Sequence, residues 1–174
     1  MSGIINSAGS KSGVIGEIGG GVSCGQVFIL NADFTTDNTT TTGWIENGNA
    51  QHKQGSFGGG ISESSGVFTF SKTGKWQVTA TISMHKHLTD EWIGFSMKFN
   101  NATISDHWEG GTTDSESSVH SITCNHIFDV TSSTDNVRIH NFSMGSGSHM
   151  IGLSGWGAGG AHASNVTFVR LRNY

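Results

Sequence analysis

The run Trp76-Gln77-Val78-Thr79-Ala80-Thr81-Ile82-Ser83-Met84 alternates apolar and polar residues without a break. Side chains alternate across a strand, so Trp76, Val78, Ala80, Ile82 and Met84 share a buried face. Gln77, Thr79, Thr81 and Ser83 share a wet one. On a helix the same apolar residues would be scattered around the axis, and the rest of the chain shows no helical period. An all-β shell follows. Such shells are built to bind or assemble more often than to catalyse.

Shorter runs of the same kind occupy residues 27–30, 44–45, 67–70, 92–99, 119–130, 137–142 and 166–171. Within 92–99, Phe95, Met97 and Phe99 oppose Gly94, Ser96 and Lys98. Within 119–130, Ile122, Cys124, His126, Phe128 and Val130 fall on one face. Turn chemistry separates the runs at Asn100-Asn101, Gly110-Gly111, residues 132–136 and residues 145–148. Many short strands at this spacing predict an antiparallel sandwich or jelly roll. The 174 residues suffice for one domain with a sizeable core, and ten Phe and five Trp supply its bulk.

Nine Lys and Arg are scattered through a chain of formal net charge −4. Counterion release needs a basic patch, so a nucleic-acid partner is not expected. Cys124, within its strand, reads as a buried free thiol in preference to half of a bridge with Cys24, and the pair gives little support for a disulfide-dependent fold. The N-terminus lacks the positive and apolar regions of a signal peptide, and no apolar run reaches membrane length. Membrane insertion is therefore not expected.

Residues 1–25 are rich in Gly and Ser, with two apolar pairs, Ile4-Ile5 and Val14-Ile15. Such a stretch cannot bury enough surface to fold alone. It reads as an arm that docks on a partner through those pairs, or as a plain flexible leader. The folded domain is placed at residues 26–174.

Three segments together resemble the C1q/TNF-like jelly-roll superfamily. Gly66-Val-Phe-Thr-Phe-Ser-Lys-Thr-Gly-Lys-Trp-Gln-Val78 is similar to its central signature, a Gly-x-Phe-Thr strand followed by a Gly-aromatic turn. Phe128-Asp129-Val130-Thr131 with Asp135-Asn136-Val137-Arg138-Ile139 is similar to a later strand pair. Thr167-Phe168-Val169-Arg170-Leu171 resembles the closing strand. The opening Ser2-Gly3-Ile4-Ile5-Asn6-Ser7 and the Phe-Asp-Val-Thr phrase are similar to small virion proteins of tailed bacteriophages, marine ones especially. The chain departs from the family at Ser71, where C1q members often carry Pro, and in the Gly-rich stretch 145–162.

The resemblance implies a homotrimer around a threefold axis. Apolar residues on both faces agree with it: Val166 and Phe168 alternate with Val169 and Leu171, and Ile122 and Phe128 are offset from Ile127. A strand apolar on both faces is covered twice, once by its own core and once by a neighbour. In such a trimer, His85-Lys86-His87 from each chain would offer six imidazoles to an axial metal such as iron. The plainer reading is two solvated histidines on the wet face. No other cofactor is implied.

Trp44, Trp92, Trp108 and Trp156 fall near turns. Exposed aromatics beside Gly, Asn and Asp can stack on sugar rings. Trp108 and Trp156 are the candidates for a glycan site, with His149 and His162 nearby in sequence, whereas Trp44 and Trp92 read as plugs at the sandwich ends. His126 reads as a satisfied core histidine. Catalytic motifs fail: Gly152-Leu153-Ser154-Gly155 lacks the nucleophile-elbow spacing, and Gly9-Ser10-Lys11-Ser12 lacks the leading Gly of a phosphate loop. Asp106, Glu109, Asp114 and Glu116 lack calcium-loop spacing.

The expected function is a non-enzymatic structural protein of a phage virion, assembled in the host cytoplasm. As a tail fibre, spike or capsid-decoration protein it would join other virion proteins through its arm and meet host-surface glycans through its loops. A free-standing carbohydrate-binding module or lectin is the alternative. A glycan-cleaving enzyme ranks last, because no paired carboxylates stand out.

Overall fold

The computed structural model describes residues 22–46, 56–110, 118–145, 147–154 and 163–171. Among these residues the chain forms strands and no helix. The strands are β1 (Val22–Leu30), β2 (Trp44–Glu46), β3 (Ile61–Ser64), β4 (Val67–Phe70), β5 (Gly74–Lys86) and β6 (Trp92–Phe99). They continue with β7 (Ala102–Gly110), β8 (Ser118–Val130), β9 (Asn136–Phe142), β10 (His149–Met150) and β11 (Asn165–Leu171).

Two antiparallel sheets face one another. In sheet A, β8 pairs with β5, β5 with β11, β11 with β1, and β1 with β2; β10 joins β5 beyond the end of β11. In sheet B the order is β3-β4-β9-β6-β7. The alternating run lies in β5, between β8 and β11 of sheet A, with Trp76, Val78, Ala80, Ile82 and Met84 all buried. Opposite them sheet B contributes Phe68, Phe70, Phe95, Met97 and Ile139, also buried. The aromatic centre is continuous: Phe168 lies 5.1 Å from Phe68, 5.9 Å from Phe28 and 5.9 Å from Phe70. Burial of these rings stabilises the contact between the two sheets.

Turn chemistry sets the register of sheet B. Asn100 and Asn101 both take positive φ, 48° and 69°, closing a two-residue hairpin in which Phe99 faces Ala102. Asn tolerates this left-handed geometry, and its twist matches that of the flanking strands.

Several elements differ from the sequence reading. β1 begins at Val22, so residues 22–25 belong to the sheet and not to the leader, and Cys24 is buried there. Ile4, Ile5, Val14 and Ile15 lie outside the described residues. β3, β7 and β10 form where no strand was expected. Trp44 is buried and its Nε1 donates to the Thr41 carbonyl at 2.8 Å, the plug anticipated for it. Trp92 is not a plug; it stands 51% exposed at the start of β6. Both Cys24 and Cys124 are free and buried.

Candidate functional site

The edge strands β7 and β8 meet along one side of the sandwich, and their inward side chains form a polar cluster. On β7, Ser105 and His107 sit opposite Met97 and Phe95 and point inward. On β8, Cys124 and His126 sit opposite Ala80 and Val78, also inward. Ser105 Oγ lies 2.9 Å from His126 Nε2 and 2.9 Å from His107 Nε2. One ligating atom from each of His107, Cys124 and His126 lies within 4.8 Å of the others. The His107 ring stacks on Phe95 at 5.1 Å, and His126 tilts against Phe128 at 6.0 Å.

A hydroxyl both donates and accepts, so Ser105 Oγ can bond both imidazole nitrogens at once. Burial is the main cause holding His107 below the usual imidazole range, and the neighbouring His126 adds to it. Burial also pushes the Cys124 thiol up to about 11, against the opposing Ala80 backbone hydrogen bond. Among the described residues no carboxylate hydrogen-bonds either imidazole, so the orienting third group of a nucleophilic triad is missing here. His126 is the satisfied histidine that its strand face suggested. His107 and Ser105 were not legible as partners, because β7 points Ile104, Asp106 and Trp108 outward and its small and polar residues inward.

A second histidine cluster sits where β10 pairs with β5. His85 faces His149 in register, and their rings stack at 4.7 Å and 23°. Nδ1 of His85 and Nδ1 of His149 both point at the Gly147 carbonyl, 3.3 and 3.2 Å away. His149 Nε2 lies 3.5 Å from Asp33 Oδ2. This overturns the expectation of a solvated His85: the ring is only 8% exposed, because His149 covers it. Burial is the first cause of its lowered pKa, opposed by the Gly147 hydrogen bond and reinforced by His149 and His87. His87 is half-buried, its Nδ1 2.9 Å from Thr89 Oγ1.

The exposed aromatics form a third feature, on the outer face of sheet B. Trp108 is 62% exposed; its ring lies 5.9 Å from that of Trp92 and 6.1 Å from that of Phe142. Trp108 and Phe142 flank Gly94 on neighbouring strands. A Cβ on Gly94 would come within 2.6 Å of the Phe142 ring, so a glycine is required beneath the aromatic rung. The next rung holds Ser96, Asp106 and His140. His149 belongs to the outer side of sheet A, so the structure separates it from Trp108. Trp156 and His162 lie outside the described residues.

The outer face of sheet A is uncharged along most of its length. Its rungs carry Gln77, Thr79, Thr81 and Ser83 on β5 opposite Ile127, Asn125, Thr123 and Ser121 on β8. β11 adds Asn165, Thr167 and Val169, and β1 adds Val27 and Ile29. The Lys75–Asp129 ion pair, at 3.4 Å, closes one end. Ile127 is 63% exposed at the centre of its strand's apolar offset.

The crystal structure of murine APRIL at pH 8.5 is similar over 84% of this chain and 98% of its own, with a TM-score of 0.61 at 11% identity. Structures of murine APRIL at pH 8.0 and pH 5.0 match over the same shares, with TM-scores of 0.59 and 0.58 at 12% and 13% identity. The fold is a C1q/TNF-like jelly roll. No family model matches the sequence. Comparison with curated proteins gives no match either. The three resembling segments fall on β4–β5, β8–β9 and β11.

Proposed function

We propose that this chain is a non-enzymatic structural protein of a phage particle, a homotrimer whose jelly roll faces outward. The observation that carries the trimer is the uncharged outer face of sheet A with Ile127 exposed on it. A lone chain leaves Ile127 exposed among uncharged hydroxyls and amides, a surface that can be covered without burying a charge. Copies of the same chain around a threefold axis cover it. The phage setting rests on the resemblance of residues 2–7 and of the Phe128-Asp129-Val130-Thr131 phrase to small virion proteins. Residues 1–21 then dock the trimer to other virion proteins as a fibre, spike or capsid decoration.

The test is incorporation into particles. A chain starting at Val22 keeps β1 whole, so it should remain a trimer and be absent from purified particles. Incorporation of the truncated chain refutes the docking role, and a monomer refutes the trimer.

Trp92 and Trp108 favour a second reading, glycan contact by the outer face of sheet B. Aromatic rings beside Ser96, Asp106 and His140 offer a stacking surface with hydroxyl partners next to it. The same face would serve an attached virion protein or a free-standing lectin.

A further inference from the structure

We propose that His107, Cys124 and His126 form a transition-metal site that takes Zn²⁺, with Ser105 Oγ or water in the fourth position. The three donor atoms already lie within 4.8 Å of one another, so binding requires only small side-chain shifts. Two imidazole nitrogens and a thiolate are a borderline-soft set; they suit zinc in a tetrahedral site and exclude magnesium and calcium, which take oxygen.

The donors are held by rigid elements. His107 comes from β7 of sheet B, while Cys124 and His126 come from β8 of sheet A at positions two apart on one face. Phe95 and Phe128 fix the planes of the two rings. Ser105 Oγ sits between the two Nε2 atoms, so those nitrogens converge on a common point and do not diverge into solvent.

Side-chain choice along these strands supports the same reading. The inward positions of the neighbouring strands are apolar: Ile93, Phe95 and Met97 on β6, and Val78, Ala80 and Ile82 on β5. Apolar residues would cover the sandwich edge equally well. The edge instead places a hydroxyl, a thiol and two imidazoles at adjacent inward positions. Bound metal would tie the free edge of sheet A to that of sheet B, and the Cys124 proton would leave to solvent on binding.

Cobalt titration of the full chain, reduced and stripped with a chelator, tests the site. The site predicts one Co²⁺ per chain, a thiolate-to-cobalt charge-transfer band, tetrahedral ligand-field bands, and displacement by Zn²⁺. Cys124→Ser should lose the charge-transfer band, while Cys24→Ser should keep it. His107→Ala and His126→Ala should each weaken binding on the order of tenfold or more. Circular dichroism confirms that each variant is folded, and should Cys124→Ser not fold, the two histidine variants carry the test. A folded wild-type chain with no charge-transfer band overturns the site. So does a band that survives Cys124→Ser or both histidine changes.

Discussion

Thr81 on β5 and Thr123 on β8 face each other with their hydroxyl oxygens 3.0 Å apart, on the outer face of sheet A. Ser83 and Ser121 repeat the arrangement one rung along at 2.8 Å. Each pair uses one of its two hydroxyl protons, so a second copy that covers it needs to supply one acceptor per pair and has no charge to desolvate. The surface is polar in composition yet uncharged. That is why a Thr- and Ser-rich face suits the proposed assembly.

A charge placed on this face should break the assembly. Ile127→Asp buries an unpaired carboxylate at each proposed interface, at a cost of several kcal/mol. Self-association measured by sedimentation velocity should weaken by roughly a hundredfold or more, about 3 kcal/mol. Circular dichroism of the protomer should be unchanged, since Ile127 lies outside the core. An unaltered association constant would place the interface elsewhere.

Trp108→Ala should weaken adsorption to host-surface glycan by about tenfold, as expected for losing one stacking ring. The melting temperature should stay within a few degrees, because the indole is largely exposed. Phe at position 108 should restore part of the binding. A glycan-array profile identical to that of the parent chain removes the sugar-binding role.

Acid should destabilise the fold in two windows. Burial lowers the pKa of His85, His107 and His140 in the folded chain. The unfolded chain therefore binds more protons between the folded values and about 6.5. Stability from these groups is complete above that pH and is lost as pH falls through the folded values. A second loss comes lower, from Asp135. Its carboxylate accepts hydrogen bonds from Asn100 Nδ2, Thr131 N and Ser132 N, which hold its pKa down. That contribution is present above about pH 3.9 and lost below it. Melting temperature against pH should be flat above neutrality and fall below about 6.5, less steeply in His107→Gln. A curve that rises on acidification would contradict the assigned directions.

Removing the central ring should be costly wherever the chain assembles. Phe168→Ala leaves a cavity among Phe28, Phe68 and Phe70 and should destabilise the chain by about 3–5 kcal/mol. Urea unfolding measures it. A loss under about 1 kcal/mol would mean that the sheets do not meet at these rings.

The sandwich was legible where one face of a strand is apolar and the other polar. β5 is the clearest case, and β8, β9 and β11 follow it. β7 escaped because its pattern is reversed: Ile104 and Trp108 face out, and Ser105 and His107 face in. β10 is two residues long and has no periodicity to read. The same reversal hid the candidate metal site. Cys124 and His126 share an evident strand face, but their partner His107 meets them only when the edges of two different sheets come together. His85 was read as solvated because local alternation cannot show that a distant residue, His149, will stack on it. Strand faces are local properties; what covers a face is a tertiary one.

Everything proposed for assembly rests on sheet A being sheltered by sister chains. Multi-angle light scattering on the purified full chain at micromolar concentration measures this directly. A homotrimer gives a single species at three times the 18.4 kDa chain mass. A species of one chain mass that persists as concentration rises would contradict it.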